Sequence, residues 1–142
     1  MTLARTLAAL FLLVLAAHLS HASGQSPTKL SIAIQAGNKY SRKEMRVHRF
    51  LWTNWQRRRT ATAEVTFFGI DAGNIYTVSL KRNAGAHWIV EEYMRHYQAV
   101  GPGSTDNKLV ASGVALRRFR LRSGAFAVQL VTGDGKTVPL FD

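Results

Sequence analysis

Leu30, Ile32 and Ile34 alternate with Ser31 and Ala33, a period of two that predicts a short half-buried strand closed by Gly37 and Asn38. The period then lengthens. Val47, Leu51, Trp52 and Trp55 fall on one face at helical spacing, with His48 among them, while Arg42, Arg46, Arg49, Thr53 and Arg57 fall opposite; only Phe50 breaks the division. Ser41 and Glu44 form a capping box that starts this helix, and Tyr40 and Met45 stand at the staple positions beside it. After Arg59 the period returns to two. Thr60–Ile70, Ile75–Arg82 and His87–Tyr97 read as three strands separated by turns at Asp71–Asn74 and Asn83–Gly85. The last of these tolerates helix after Glu91, so its second half has two readings. Gly101–Asn107 reads as a surface loop. Leu109–Leu121 alternates in a phase that shifts before Phe119, which predicts a bulge near Arg117 and Arg118. Ser123-Gly124 and Gly133-Asp134-Gly135 close two hairpins around Phe126–Val131, and Pro139 confines the last strand, Thr137–Phe141, to a sheet edge.

A single amphipathic helix followed by a meander buries its apolar stripe by lying across one sheet face. The expected class is therefore α+β, with one helix packed on a curved antiparallel sheet of about five to six strands. Cystatin-like and NTF2-like folds share this shape and lend it no function.

Residues 1–22, MTLARTLAALFLLVLAAHLSHA, carry one basic residue, an apolar run from Leu7 to Ala17, and Ser20 and Ala22 before a cleavage point, the pattern of an export signal. The run is about half of the ~20 residues needed to cross a bilayer, so removal is expected rather than anchoring, with no transmembrane segment left in the mature chain. Residues 23–28 read as a flexible leader and 29–142 as a single domain, delivered to the periplasm or secreted. The chain has no cysteine, which excludes disulfides and thiolate metal sites.

Charge changes the picture most. Only Arg5 of the 19 Lys and Arg lies in the signal, so the remainder keeps 18 against 8 acids, a formal +10. For an exported chain this points to anionic lipid, polysaccharide or an acidic protein, and away from nucleic acid. Arginine forks suit phosphate and carboxylate, so Arg42, Arg46, Arg49 and Arg57 on the helix and Arg118, Arg120 and Arg122 on a later strand are the candidate anion-binding residues. His87, Glu91, Glu92 and His96 are weaker polar-site candidates. On a helix each His–Glu pair would share a face; on a strand its members stand ~13 Å apart, too far for one ion. No catalytic residue, metal ligand or cofactor is assigned, and Gly133-Asp134-Gly135-Lys136 is too short for a phosphate loop.

The run Phe50-Leu51-Trp52-Thr53-Asn54-Trp55-Gln56-Arg57-Arg58-Arg59-Thr60 resembles the signature of an uncharacterised family of small exported bacterial proteins, in which an aromatic-rich basic helix leads into strands. Ile75–Lys81, Trp88-Ile89-Val90-Glu91 and the hairpin at Gly133-Asp134-Gly135-Lys136 fit the same pattern, so the resemblance extends over most of the chain from about Val47. Members often have His where Asn54 stands and Gly where Thr60 and Ala61 stand. The family has no established activity, and the resemblance implies none. The expected function is non-enzymatic binding of an anionic envelope or extracellular partner; a small enzyme or pocket binder using the concave sheet face, and a self-assembling structural protein, are the alternatives.

Overall fold

The computed structural model describes residues 28–98 and 106–142. Residues 1–22, where an export signal is expected, residues 23–27 of the expected leader and 99–105 of the chain around the glycine-rich loop lie outside the described residues.

The first strand, β1 (Thr28–Gln35), turns Leu30, Ile32 and Ile34 inward as its alternation requires. A turn at Gly37, whose φ of +93° suits a residue without a side chain, leads to helix α1 (Arg42–Gln56). Ser41 caps it by accepting the Glu44 N–H at 3.3 Å. The Glu44 carboxylate reaches back one residue further than a capping box predicts, to the Tyr40 N–H, because the Ser41 N–H already donates to the Asn38 carbonyl. The helix ends in a Schellman pair, in which Arg58 N–H donates to Trp55 O and Arg59 N–H to Asn54 O. Arg58 adopts the left-handed conformation, φ +52°, usually left to glycine, and its guanidinium lies 4.6 Å from the Trp55 ring centre. A cation–π contact of ~0.5–1 kcal/mol offsets part of the ~1–2 kcal/mol cost of that conformation.

The helix rises over ~22 Å and returns the chain to the end of the sheet where β1 began, so β2 (Ala61–Phe68) pairs with β1 in parallel. β3 (Ala72–Arg82), β4 (Trp88–Gln98) and β5 (Lys108–Gly113) continue as an antiparallel meander, giving a five-stranded mixed sheet in the order β1-β2-β3-β4-β5. The β2–β3 turn falls at Gly69–Asp71, earlier than Asp71–Asn74, and leaves Ile70 almost fully exposed. β4 pairs with β3 along its whole length, from Arg82 opposite Trp88 to Ala72 opposite Gln98. This ladder satisfies the backbone from end to end and overturns the helical reading after Glu91.

The expected bulge near Arg117 and Arg118 is instead a change of sheet. The chain leaves β5 at Gly113 and enters β6 (Ala115–Arg120), which pairs with β7 (Phe126–Val131) and through it with β8 (Thr137–Pro139). Gly113 makes this possible. A Cβ there would stand 2.3 Å from the Val131 carbonyl oxygen and 2.3 Å from Leu130 Cδ2. The register shift in the first sheet lies elsewhere, between Glu92 and Tyr93. Strands β1 to β8 thus form two sheets, and α1 packs on both, against one face of β1–β2 and against β7, burying Val47 and Leu51 with Ala63, Val65, Val78, Leu80, Val128 and Leu130.

Because the obstruction at Gly113 is backbone, it cannot be relieved by a side-chain rotation. Gly113→Ala is expected to destabilise the chain by ~1–3 kcal/mol in urea unfolding. Gly133→Ala, where an added Cβ meets nothing within 4 Å, should stay within ~0.5 kcal/mol of the parent.

Candidate anion-binding site

Helix α1 crosses from the first sheet to the second, and its outer ridge carries exposed Arg42, Arg46, Arg49 and Arg57. Its inner face is held in rotation by His48. The Nδ1 of this buried imidazole accepts the Val128 N–H at 3.2 Å, so its proton sits on Nε2, which faces Glu44 Oε1 at 3.4 Å. The bond to Val128 has a structural origin. In the β7–β8 ladder the N–H groups facing β8 recur at every second residue, and at Val128 the partner strand has already ended at Pro139. The imidazole takes the donor that the shortened strand leaves open.

With the helix fixed in this way, Trp52, one turn beyond His48, faces the β6–β7 pair. Arg118, on β6, is exposed, and its guanidinium contacts two rings, 4.9 Å from the Trp52 ring centre and 4.8 Å from that of Phe126. Arg49 and Arg118 then line opposite elements of one cleft of about 330 Å³, with Met45, Trp52 and Phe126 among its apolar walls. On the other flank of the helix Arg46 and Arg49 overlook a second groove of about 320 Å³ containing Leu30 and Phe50. Arg49 is common to both. Phe50, which interrupts the polar helix face in the sequence, serves as the apolar wall of this second groove.

The structure therefore brings together Arg49 and Arg118, with Arg46 on the neighbouring groove. Arg42 and Arg57 stand at the two ends of the same ridge and line neither cleft. Arg120 shares the β6 face of Arg118, but its Nη2 comes within 3.9 Å of the position a Cβ on Gly124 would take, over the following turn, and Arg122 lies in that exposed turn.

Among the described residues no arginine forms an ion pair. Four carboxylates are engaged elsewhere: Glu44 on the helix cap and His48, Glu91 on Lys81 at 2.6 Å, Asp134 on Lys136 at 2.9 Å, and Asp142 on Lys39. The hydrogen bond and charge of Lys81 hold the Glu91 carboxyl below its usual range, while the bond from Lys39 to Asp142 raises Lys39. The basic ridge is left without internal counter-charge.

The second candidate cluster is dispersed. His87 precedes β4 and is exposed; Glu91 lies on the outer face of β4, bonded to Lys81 and the Tyr93 hydroxyl. Glu92 and His96 lie on the opposite face, where His96 Nδ1 is 2.9 Å from Asn74 Oδ1. No group of three or more His, Cys, Asp or Glu gathers in a metal-binding arrangement among the described residues.

Glu92 is nevertheless unusual, being 2% exposed on the core face opposite Val78. Its Oε1 accepts the N–H of Phe141 at 2.7 Å, and Phe141, in the left-handed conformation at φ +64°, sets its ring against His48, Phe67 and Tyr76. The Tyr76 hydroxyl donates to the Asp142 carbonyl at 3.1 Å. Residues 140–142 thereby close the end of the core that the helix leaves open. Sequence spacing gave no sign of this tie, because Glu92 on β4 and Phe141 after β8 stand far apart along the chain.

Burial pushes the Glu92 carboxyl from 4.5 up to about 7, with the Phe141 N–H opposing the rise and Asp142 adding to it. The folded chain thus keeps a proton that the unfolded chain releases near 4.5. Stability from this group is fully present below 4.5, falls as pH rises through about 7, and is lower by ~3 kcal/mol above it. Glu92→Gln retains an oxygen for Phe141 and cannot ionise. In urea unfolding it should exceed the parent by ~2–3 kcal/mol at pH 8, with the advantage largely gone at pH 5; a difference independent of pH contradicts the assignment.

No family model, curated protein or solved structure matches the chain.

Proposed function

We propose that this chain is an exported, non-enzymatic binding module that presents the arginine ridge of α1, continued by Arg118, to an anionic component of the cell envelope or its surroundings. The observation that carries this reading is the separation of charges. The arginines stand on one helix ridge and its flanking clefts without a carboxylate partner among the described residues, while Glu44, Glu91, Glu92, Asp134 and Asp142 are tied to lysines, backbone or His48 and none of Glu64, Asp71 and Asp106 pairs with an arginine. An unpaired guanidinium keeps its planar fork free for phosphate, sulfate or carboxylate. Export rests on the pattern of residues 1–22, and it selects lipid headgroups, acidic polysaccharide or an acidic protein over nucleic acid. The binding-module reading is also favoured by His48, the histidine nearest the ridge, whose two ring nitrogens are both engaged in holding the fold.

Binding of this kind is screened by salt over ~10 Å at 0.1 M. Retention on heparin and on vesicles containing phosphatidylglycerol should be strong at low ionic strength and lost at high. Replacing Arg42, Arg46, Arg49 and Arg57 together by Gln should weaken it at least ~tenfold, at ~1 kcal/mol per charge near an anionic surface, with little change in unfolding free energy. Retention that is absent, insensitive to salt, or unchanged in the quadruple variant contradicts the proposal.

A further inference from the structure

The cleft between α1 and the β6–β7 pair differs from the open ridge beside it. It is about 330 Å³ in volume, at the small end of the ~300–1,000 Å³ of ligand pockets, and its wall pairs two guanidinium groups with the indole of Trp52, the ring of Phe126 and the thioether of Met45. A ridge that met only a polyanion would need the charges and not the rings.

The state of Arg118 is informative. Its guanidinium carbon lies 4.9 Å from the Trp52 ring centre and 4.8 Å from that of Phe126, while the side chain stays exposed, and among the described residues it forms no ion pair. Contact with two rings restricts the fork before anything binds, which lowers the ordering cost of a bidentate contact. No carboxylate lines the cleft. His48, at its base, is spent on Val128 and Glu44 and contributes a carbon edge rather than an acid or base.

We infer that this cleft binds a small amphipathic acid, its phosphate or carboxylate head between Arg49 and Arg118 and its short apolar body along Met45, Trp52 and Phe126. The inference deepens the anion-binding reading and rests on it for the chemistry of the head group. The apolar body is its new element. Such a molecule reaches the site either free in solution or as a lipid whose head and first methylenes enter from a membrane surface.

Calorimetric titration of the full chain with hexyl phosphate, inorganic phosphate and hexanol separates the contributions. Hexyl phosphate should bind about tenfold or more tightly than inorganic phosphate, and hexanol should show no binding. Arg118→Gln and Arg49→Gln should each weaken hexyl phosphate at least ~fivefold, whereas Lys108→Gln, exposed on β5 and outside the cleft lining, should leave it unchanged. Equal affinity for hexyl and inorganic phosphate, or indifference to Arg118→Gln, overturns the inference. Vesicles containing phosphatidic acid identify the source. Weaker vesicle binding by Arg118→Gln marks a membrane lipid, and unchanged vesicle binding beside lost hexyl phosphate binding marks a free acid. If heparin and vesicle retention fail while hexyl phosphate still binds through Arg118, the surface reading falls and the cleft stands; the reverse result removes the cleft alone.

Discussion

The helix faces two sheets at once, and the group that keys it to the second is the imidazole of His48. On one side it receives the Val128 N–H that β8 no longer covers, and on the other it faces Glu44, which also holds the Tyr40 N–H at the helix start. A buried donor left open at Val128 would cost ~1–3 kcal/mol, so the short β8 strand and the buried histidine are complementary requirements. The consequence is positional. Fixing the rotation of α1 at His48 places Trp52 against Arg118 on one flank and leaves Arg49 at the cleft mouth, so the candidate site follows from a contact that contains no ligand-binding group.

A second tie closes the core beside the first. Phe141 packs its ring among His48, Phe67 and Tyr76 and directs its N–H to Glu92, joining the chain after β8 to the middle of β4. Both ties use a side chain of one element and a backbone N–H of another, the first joining α1 to β7 and the second joining β4 to the chain after β8. They do so by burying polar groups, each of which has a hydrogen-bond partner among the described residues. The two sheets also come together at Gly113, where close approach leaves no room for a side chain.

Local chemistry was legible in the sequence. Ser41 and Glu44 announced the helix, the 3.6-residue spacing of Val47, Leu51 and Trp55 its buried face, and Asn83–Gly85, Ser123-Gly124 and Gly133–Gly135 the hairpins. Strand direction was not, since alternation in Leu30, Ile32 and Ile34 is the same whether the neighbouring strand runs parallel or antiparallel. The phase shift within Leu109–Leu121 was visible, but its cause lay in Leu130 and Val131, which only tertiary packing brings to Gly113. The candidate site divided in the same way. Periodicity placed the helix arginines on one ridge, whereas the meeting of Arg118 with Trp52 and Phe126 needed the second sheet to exist. The His87, Glu91, Glu92 and His96 group dispersed because a strand sends neighbours to opposite faces, and Glu92 acquired its character from residues at the far end of the chain.

The positioning of the arginine cleft depends most directly on the bond between β7 and the helix imidazole. A through-hydrogen-bond 15N–15N coupling experiment on the labelled chain reads that bond without perturbing it. A resolved coupling between the Val128 amide nitrogen and Nδ1 of His48, with the ring proton on Nε2, is the predicted result. Absence of that coupling together with a proton on Nδ1 would contradict the account, since the helix would then lack the contact that aligns Trp52 and Arg49 with Arg118.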